Sequence, residues 1–174
     1  MNRDNSHENA ETFVQDAVAN YQSPLVRYAT RLVGDPDRAR DVVQDTFIKL
    51  MSQPPAVVDG HVAEWLFTVC RHRALDVLRK EGRMKRFEEG EMERVSTGDQ
   101  RPTQAMEAEE THDALLRLID RLPPSQQEVL RLKFQSGFSY KEISRITAHS
   151  VSHVGVLIHN AVTRLRAEYA AQRS

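Results

Sequence analysis

Residues 125–166 read SQQEVLRLKFQSGFSYKEISRITAHSVSHVGVLIHNAVTRLR, and their punctuation predicts three short helices separated by two tight joints. Ser125 with Glu128, and Ser139 with Glu142, have the S-x-x-E spacing of a capping box, in which a hydroxyl and a carboxylate satisfy orphan amides at a helix start. Gly137 suits the left-handed residue that ends the first helix, and Thr147-Ala148-His149 separate the second from a third that Ser150 can cap. This is helix-turn-helix punctuation. In the third helix Val154, Leu157, Ile158, Ala161 and Leu165 form a stripe at helical period. The complementary face carries Ser152, His153, Gly155, Val156, His159, Asn160 and Thr163, with Arg164 and Arg166 near its end. The second helix of such a motif lies in the major groove of DNA, its outward N-terminal residues reaching base edges while basic residues hold phosphates. An ordinary three-helix corner shares the same caps and stripe, so the rest of the chain has to decide.

The 174 residues suffice for one ordinary domain or two small ones, and a hydrophobic share of 40% allows real cores. A net charge of −1 argues against a nucleic-acid partner only until its distribution is examined. Residues 1–60 hold 6 basic and 9 acidic side chains, 61–86 hold 7 and 3, 87–113 hold 2 and 9, and 114–174 hold 9 and 4. Two basic blocks thus flank an acidic one, as expected of two polyanion-facing surfaces joined by a connector that avoids or imitates phosphate. The single cysteine, Cys70, excludes an intrachain disulfide. The opening MNRDNSHENAET has no apolar core like that of a signal peptide, and no run of about 18 apolar residues occurs. The expectation is a cytoplasmic protein with no membrane segment.

Taken in order, residues 1–8 are expected to be disordered, and helical periodicity begins near Ala10. Ser23-Pro24 suits a restart or kink. Leu25, Tyr28, Ala29 and Leu32 then make an apolar stripe that Gly34 stops, and Asp35-Pro36 opens a helix running to about Ser52, ended by Pro54-Pro55. In that helix Ala39, Val42, Val43, Phe47 and Leu50 form the core stripe, while Asp41, Gln44, Asp45 and Ile48 line a second side at i, i+3, i+4 and i+7. An isoleucine among acids and an amide suits partner docking; a solvated face with one stray aliphatic fits the same pattern. From Asp59 a longer helix buries Val62, Leu66, Val69, Cys70, Ala74, Val77 and Leu78. Trp65 and Phe67 flank that stripe, and Arg71, His72, Arg73, Arg79, Lys80 and Arg83 supply positive charge. Rings beside arginines are the ingredients of a single-strand site, since a ring can stack on an unpaired base while guanidinium groups follow the backbone; core rings beside a solvated face are the alternative. The expected fold is all-α: two small helical domains, 10–83 and 111–170, joined by an acidic linker at 84–110, the C-terminal one containing the helix-turn-helix.

The order DPDRARDVVQDTFIKLM, then WLFTVCRHRALDVLRKEGR, then LPPSQQEVLRLKFQSGFSYKEISRIT with the SHV and RLR that follow, resembles the extracytoplasmic-function (ECF) group of the sigma-70 family of bacterial RNA polymerase sigma factors over roughly Thr12 to Tyr169. The resemblance implies an initiation factor whose N-terminal domain binds core RNA polymerase and melts the minus-10 promoter element, and whose C-terminal domain reads the minus-35 element as duplex. By position, Asp41, Gln44, Asp45 and Ile48 would meet polymerase. Trp65, Arg71, His72, Arg79, Lys80 and Arg83 would line the melted strand, and Ser152, His153, Val156 and Asn160 would face the major groove. The acidic linker would pass through the polymerase cleft, and an anti-sigma factor is a further partner compatible with the family. Three departures stand out. His72 replaces a common asparagine, Ala148 replaces a turn glycine, and Gly155, Leu157 and Asn160 stand where relatives often carry basic residues. Lys141, Arg145, Arg164 and Arg166 would then supply the missing phosphate contacts.

An enzyme finds no support in a Walker loop, nucleophile elbow or metal constellation, so neither catalytic residues, metal nor cofactor are expected. His149 and His153 have i, i+4 spacing, but no Cys or Glu cluster accompanies them. Two rivals remain: a helix-turn-helix regulator that never engages polymerase, and a degenerate sigma-like module that binds proteins.

Overall fold

The computed structural model describes residues 4–84, 87 and 106–173. Helices α1 (Asp4–Val33), α2 (Pro36–Met51), α3 (Pro55–Val58) and α4 (Val62–Lys80) form one compact body. Helices α5 (Met106–Ile119), α6 (Pro124–Phe134), the first part of α7 (Tyr140–Thr147) and α8 (Val151–Gln172) belong to a second. No strand occurs among the described residues, so the all-α expectation holds. The acidic linker expected at 84–110 lies largely outside the described residues; its last part, from Met106, is already helical in α5.

Two expectations for the N-terminal segment are corrected. Residues 4–8, expected to be disordered, belong to α1. Of the restart or kink expected at Ser23-Pro24, the restart is overturned, since the helix runs through Pro24. An internal proline forfeits a backbone hydrogen bond at a cost of about 3 kcal/mol, which burial of Ala17, Leu25, Tyr28, Ala29, Leu32 and Val33 offsets. Gly34, with φ 77, ends the helix, and its N–H donates to the Thr30 carbonyl. The Asp35 carboxylate then accepts from the amides of Asp37 and Arg38, and Pro36 occupies the first helical position, so α2 starts where its sequence indicates.

α1, α2 and α4 pack against one another in this body. Ala39, Val42, Val43, Phe47 and Leu50 of α2 are buried, as are Leu66, Phe67, Val69, Cys70, Ala74, Leu75 and Leu78 of α4. The Tyr28 and Phe67 rings meet at 5.1 Å between centroids. Arg38 forms an ion pair with Glu81, tying the start of α2 to the end of α4, and Arg83 pairs with the same carboxylate at 3.2 Å. Between α2 and α4, Pro54-Pro55 does not simply terminate structure: Pro55 opens the four-residue α3, which buries Val58.

In the second body α5 and α6 both pack on α8. Their core joins Leu118, Leu122, Leu130, Ala161 and Leu165, with Ile119, Val162 and Tyr169 at its margin. Buried Arg131 reaches the Asp120 carboxylate at 2.8 Å, and the Gln127 amide donates to the carbonyls of Asp120 and Leu122, fixing α6 to the end of α5. The expected Ser125–Glu128 capping box is not formed. Pro123 is the N-cap and Pro124 the first helical residue, which puts Ser125 inside the helix and Glu128 in the interior.

Candidate nucleic-acid interfaces

The helix-turn-helix is assembled from the local signals. At the start of α7 the Glu142 amide donates to Ser139 Oγ at 3.2 Å, and the Ser139 amide to Glu142 Oε2 at 2.7 Å, a complete capping box. Gly137 takes φ 75 just before it. The joint between α7 and α8 turns on Ala148, which holds φ 60 and ψ 16, and the Ser144 hydroxyl donates to the His149 carbonyl at 2.6 Å. Ser150 Oγ then accepts from the His153 amide at 3.1 Å, starting α8.

That geometry buries Val154, Leu157, Ile158, Ala161 and Leu165, leaving Ser152, His153, Val156, His159 and Asn160 exposed along the other side of α8. Arg164, Arg166, Lys141 and Arg145 are exposed as well. Arg164 also pairs with Glu168 at 3.1 Å. Gly155 is half-buried beside Tyr140, whose ring lies 3.7 Å from where a Cβ on that glycine would stand. Lys133 Nζ sits over the same ring at 5.3 Å from its centroid. No local pattern announced this cation: Lys133 and Tyr140 are seven residues apart across a turn, and only the fold brings them together beside α8. His149 and His153 do come together, edge to face at 4.8 Å, yet no cluster of three metal-ligating side chains occurs among the described residues.

On α4 the two rings flanking the stripe part company. Phe67 is core, whereas Trp65 is only half-buried. Helical geometry aligns Trp65, His72 and Arg79 at seven-residue steps, roughly 10 Å apart along the axis, with half-buried Arg71 and exposed Lys80 to either side. Arg79 makes an exposed pair with Asp76 at 3.0 Å, an interaction weak enough to be exchanged for a phosphate. Arg83 lies past the helix end, partly covered and paired with Glu81. Cys70, on the opposite side, is inert: burial pushes its thiol up to about 12, against the opposing effect of a hydrogen bond with Thr46.

On α2 the residues Asp41, Gln44, Asp45 and Ile48 are all exposed and form one strip, with Ile48 56% accessible. The strip continues at i+3 to Met51, 68% accessible. The same periodicity that marks Ile48 extends to Met51, so its place on the strip was within reach of the sequence. Among the described residues no helix is long and apolar enough to cross a membrane.

Comparison with known proteins agrees with this arrangement. Residues 5–84 match the family described as Sigma-70 region 2, and residues 112–165 that described as Sigma-70, region 4. The ECF RNA polymerase sigma factor EcfG of Rhodopseudomonas palustris (strain TIE-1) is 31% identical over 144 residues, covering 82% of this chain and 77% of the relative. This chain belongs to the ECF group of the sigma-70 family. The sigma factor is also similar to the RNA polymerase sigma factor YlaC of Bacillus subtilis (strain 168), at 27% identity over 92% of this chain and 94% of that one. To the ECF RNA polymerase sigma factor SigL of Mycobacterium tuberculosis (strain ATCC 25618 / H37Rv) it is 29% identical, over 82% and 80%. In this sigma factor α1–α4 thus fall in the region 2 match, and α6, α7 and most of α8 in the region 4 match.

Proposed function

We propose that this ECF sigma factor recruits core RNA polymerase through the α2 strip, captures the melted minus-10 strand on α4 and reads the minus-35 duplex with α8, without catalysing a reaction itself. The observation that carries this reading is the strip. Asp41, Gln44, Asp45, Ile48 and Met51 are exposed together on one helix, and a helix-turn-helix regulator that only binds duplex has no use for an acidic and apolar docking line so far from its reading helix in sequence. Carboxylates give such a surface specificity and steering, and the two apolar side chains give it area to bury.

Trp65 offers a stacking platform to an unpaired base, while His72, Arg79, Arg71 and Lys80 follow the strand's phosphates. Lys133, Lys141, Arg145, Arg164 and Arg166 hold the duplex backbone around α8. The acidic residues between the two bodies suit a path through the polymerase cleft, where negative charge imitates nucleic acid. A protein covering Ile48 and Met51 would compete with polymerase and so act as an anti-sigma factor. Work of this kind belongs in the cytoplasm.

The test is co-migration with sigma-free core polymerase. Wild-type chain is expected to co-migrate, and Asp45→Lys to weaken the complex at least tenfold by placing a cation in the acidic strip. Unchanged migration of the variant removes α2 from the account.

A further inference from the structure

From Val151 to Thr163, more than half of α8, the chain has no Lys, Arg, Asp or Glu. Yet this stretch contains the exposed residues that face away from the core: Ser152, His153, Val156, His159 and Asn160. In the middle of them Val156 is 53% accessible, and Val151 at the helix start is 43% accessible. A single exposed aliphatic on a helix needs no explanation. Here, however, the branched side chain stands between His153 at i−3 and Asn160 at i+4, on the one face that a helix-turn-helix turns toward base edges.

The side-chain chemistry of that face restricts what it can read. Guanine is recognised above all by an arginine or lysine fork on O6 and N7, and this stretch has neither. Asparagine matches the N6 donor and N7 acceptor of adenine, and an apolar side chain matches the C5-methyl group of thymine. Residues 156 and 160 lie about 6 Å apart along the helix axis, within two base-pair steps of about 3.4 Å.

Resting on the reading of α8 as the duplex-facing helix, we infer that this sigma factor selects its minus-35 element through A·T pairs: Val156 packs on a thymine C5-methyl group and Asn160 pairs with an adenine within two base pairs of it. Phosphate contacts from outside the uncharged stretch position the helix but leave that selection to Val156 and Asn160.

The experiment uses the full chain assembled with core polymerase. Duplexes are selected from a pool randomised upstream of a fixed minus-10 element, and each thymidine of the selected element is then replaced by deoxyuridine, which removes only the methyl group. At one position the wild-type complex is expected to lose about fourfold in affinity, the worth of one buried methyl. Val156→Ala is expected to bind the thymidine and deoxyuridine duplexes equally. Asn160→Ala is expected to lose about tenfold discrimination for an adenine within two base pairs. Indifference of the wild-type complex to deoxyuridine, or a penalty that persists in Val156→Ala, overturns the inference while leaving duplex recognition intact. Failure to enrich any upstream element overturns both the inference and the duplex reading beneath it.

Discussion

Ala148 is the one non-glycine residue with positive φ among the described residues. A left-handed backbone brings Cβ against the following carbonyl, which costs roughly 1–2 kcal/mol for an L-residue, whereas glycine adopts it freely. Ala148→Gly is therefore expected to stabilise the chain by about 0.5–1 kcal/mol, part of the relief being lost to the greater freedom of glycine when unfolded. Urea unfolding checks this through a higher midpoint at unchanged slope. At Cys70 the folded thiol is held near 12 against an ordinary 9.0. Above 9.0 the unfolded chain loses its thiol proton while the folded one keeps it, so this contribution to stability is complete below 9.0 and declines as pH rises toward about 12. A Cys70→Ala variant is expected to show a shallower loss of stability over that window than wild type. Both residues were legible in sequence, Ala148 by its place in the turn and Cys70 by its place in a buried stripe. Trp65 and Phe67 were not separable there, because two rings at i and i+2 differ only in which neighbouring helix covers them, and Tyr28 covers Phe67.

At the scale of the element, two identical spacings behave differently. Ser139 and Glu142 exchange both bonds of a capping box, so Ser139→Ala is expected to cost about 1 kcal/mol. Ser125 lies inside α6 behind Pro123 and Pro124, so Ser125→Ala is expected to change stability by less than about 0.5 kcal/mol. Chemical denaturation of the two variants side by side measures the difference. The apolar period located α2, α4 and α8 because each helix has one face to bury. It left a restart or a kink open at Pro24, where packing on both sides keeps the helix unbroken, and it missed α3, whose four residues are too few to show a period.

For the whole molecule, the proposed division of labour between strand capture and duplex reading would have a kinetic signature. If Trp65 holds an unpaired base, Trp65→Ala is expected to lower run-off transcription from a fully paired promoter about tenfold, since base stacking on an aromatic side chain contributes roughly 1–3 kcal/mol. On a template already mismatched across the minus-10 element, the loss is expected to shrink, because less opening has to be stabilised. Equal losses on both templates reject the role. The two-part organisation and its family were legible from the order of motifs and the alternation of charge. The openness of Arg79 and the partial cover of Arg83 were not, since both depend on where Asp76 and Glu81 fall in three dimensions.

The uncharged stretch of α8 also bears on how the protein spends its time when no polymerase is attached. Sequence-independent attraction to a chromosome comes almost wholly from cations displacing counterions along the phosphates. If α8 is the reading helix, its thirteen positions without a cation add nothing to that attraction, which is left to Lys133, Lys141, Arg145, Arg164 and Arg166 around them, and idle wandering over irrelevant sites is expected to fade steeply as salt rises.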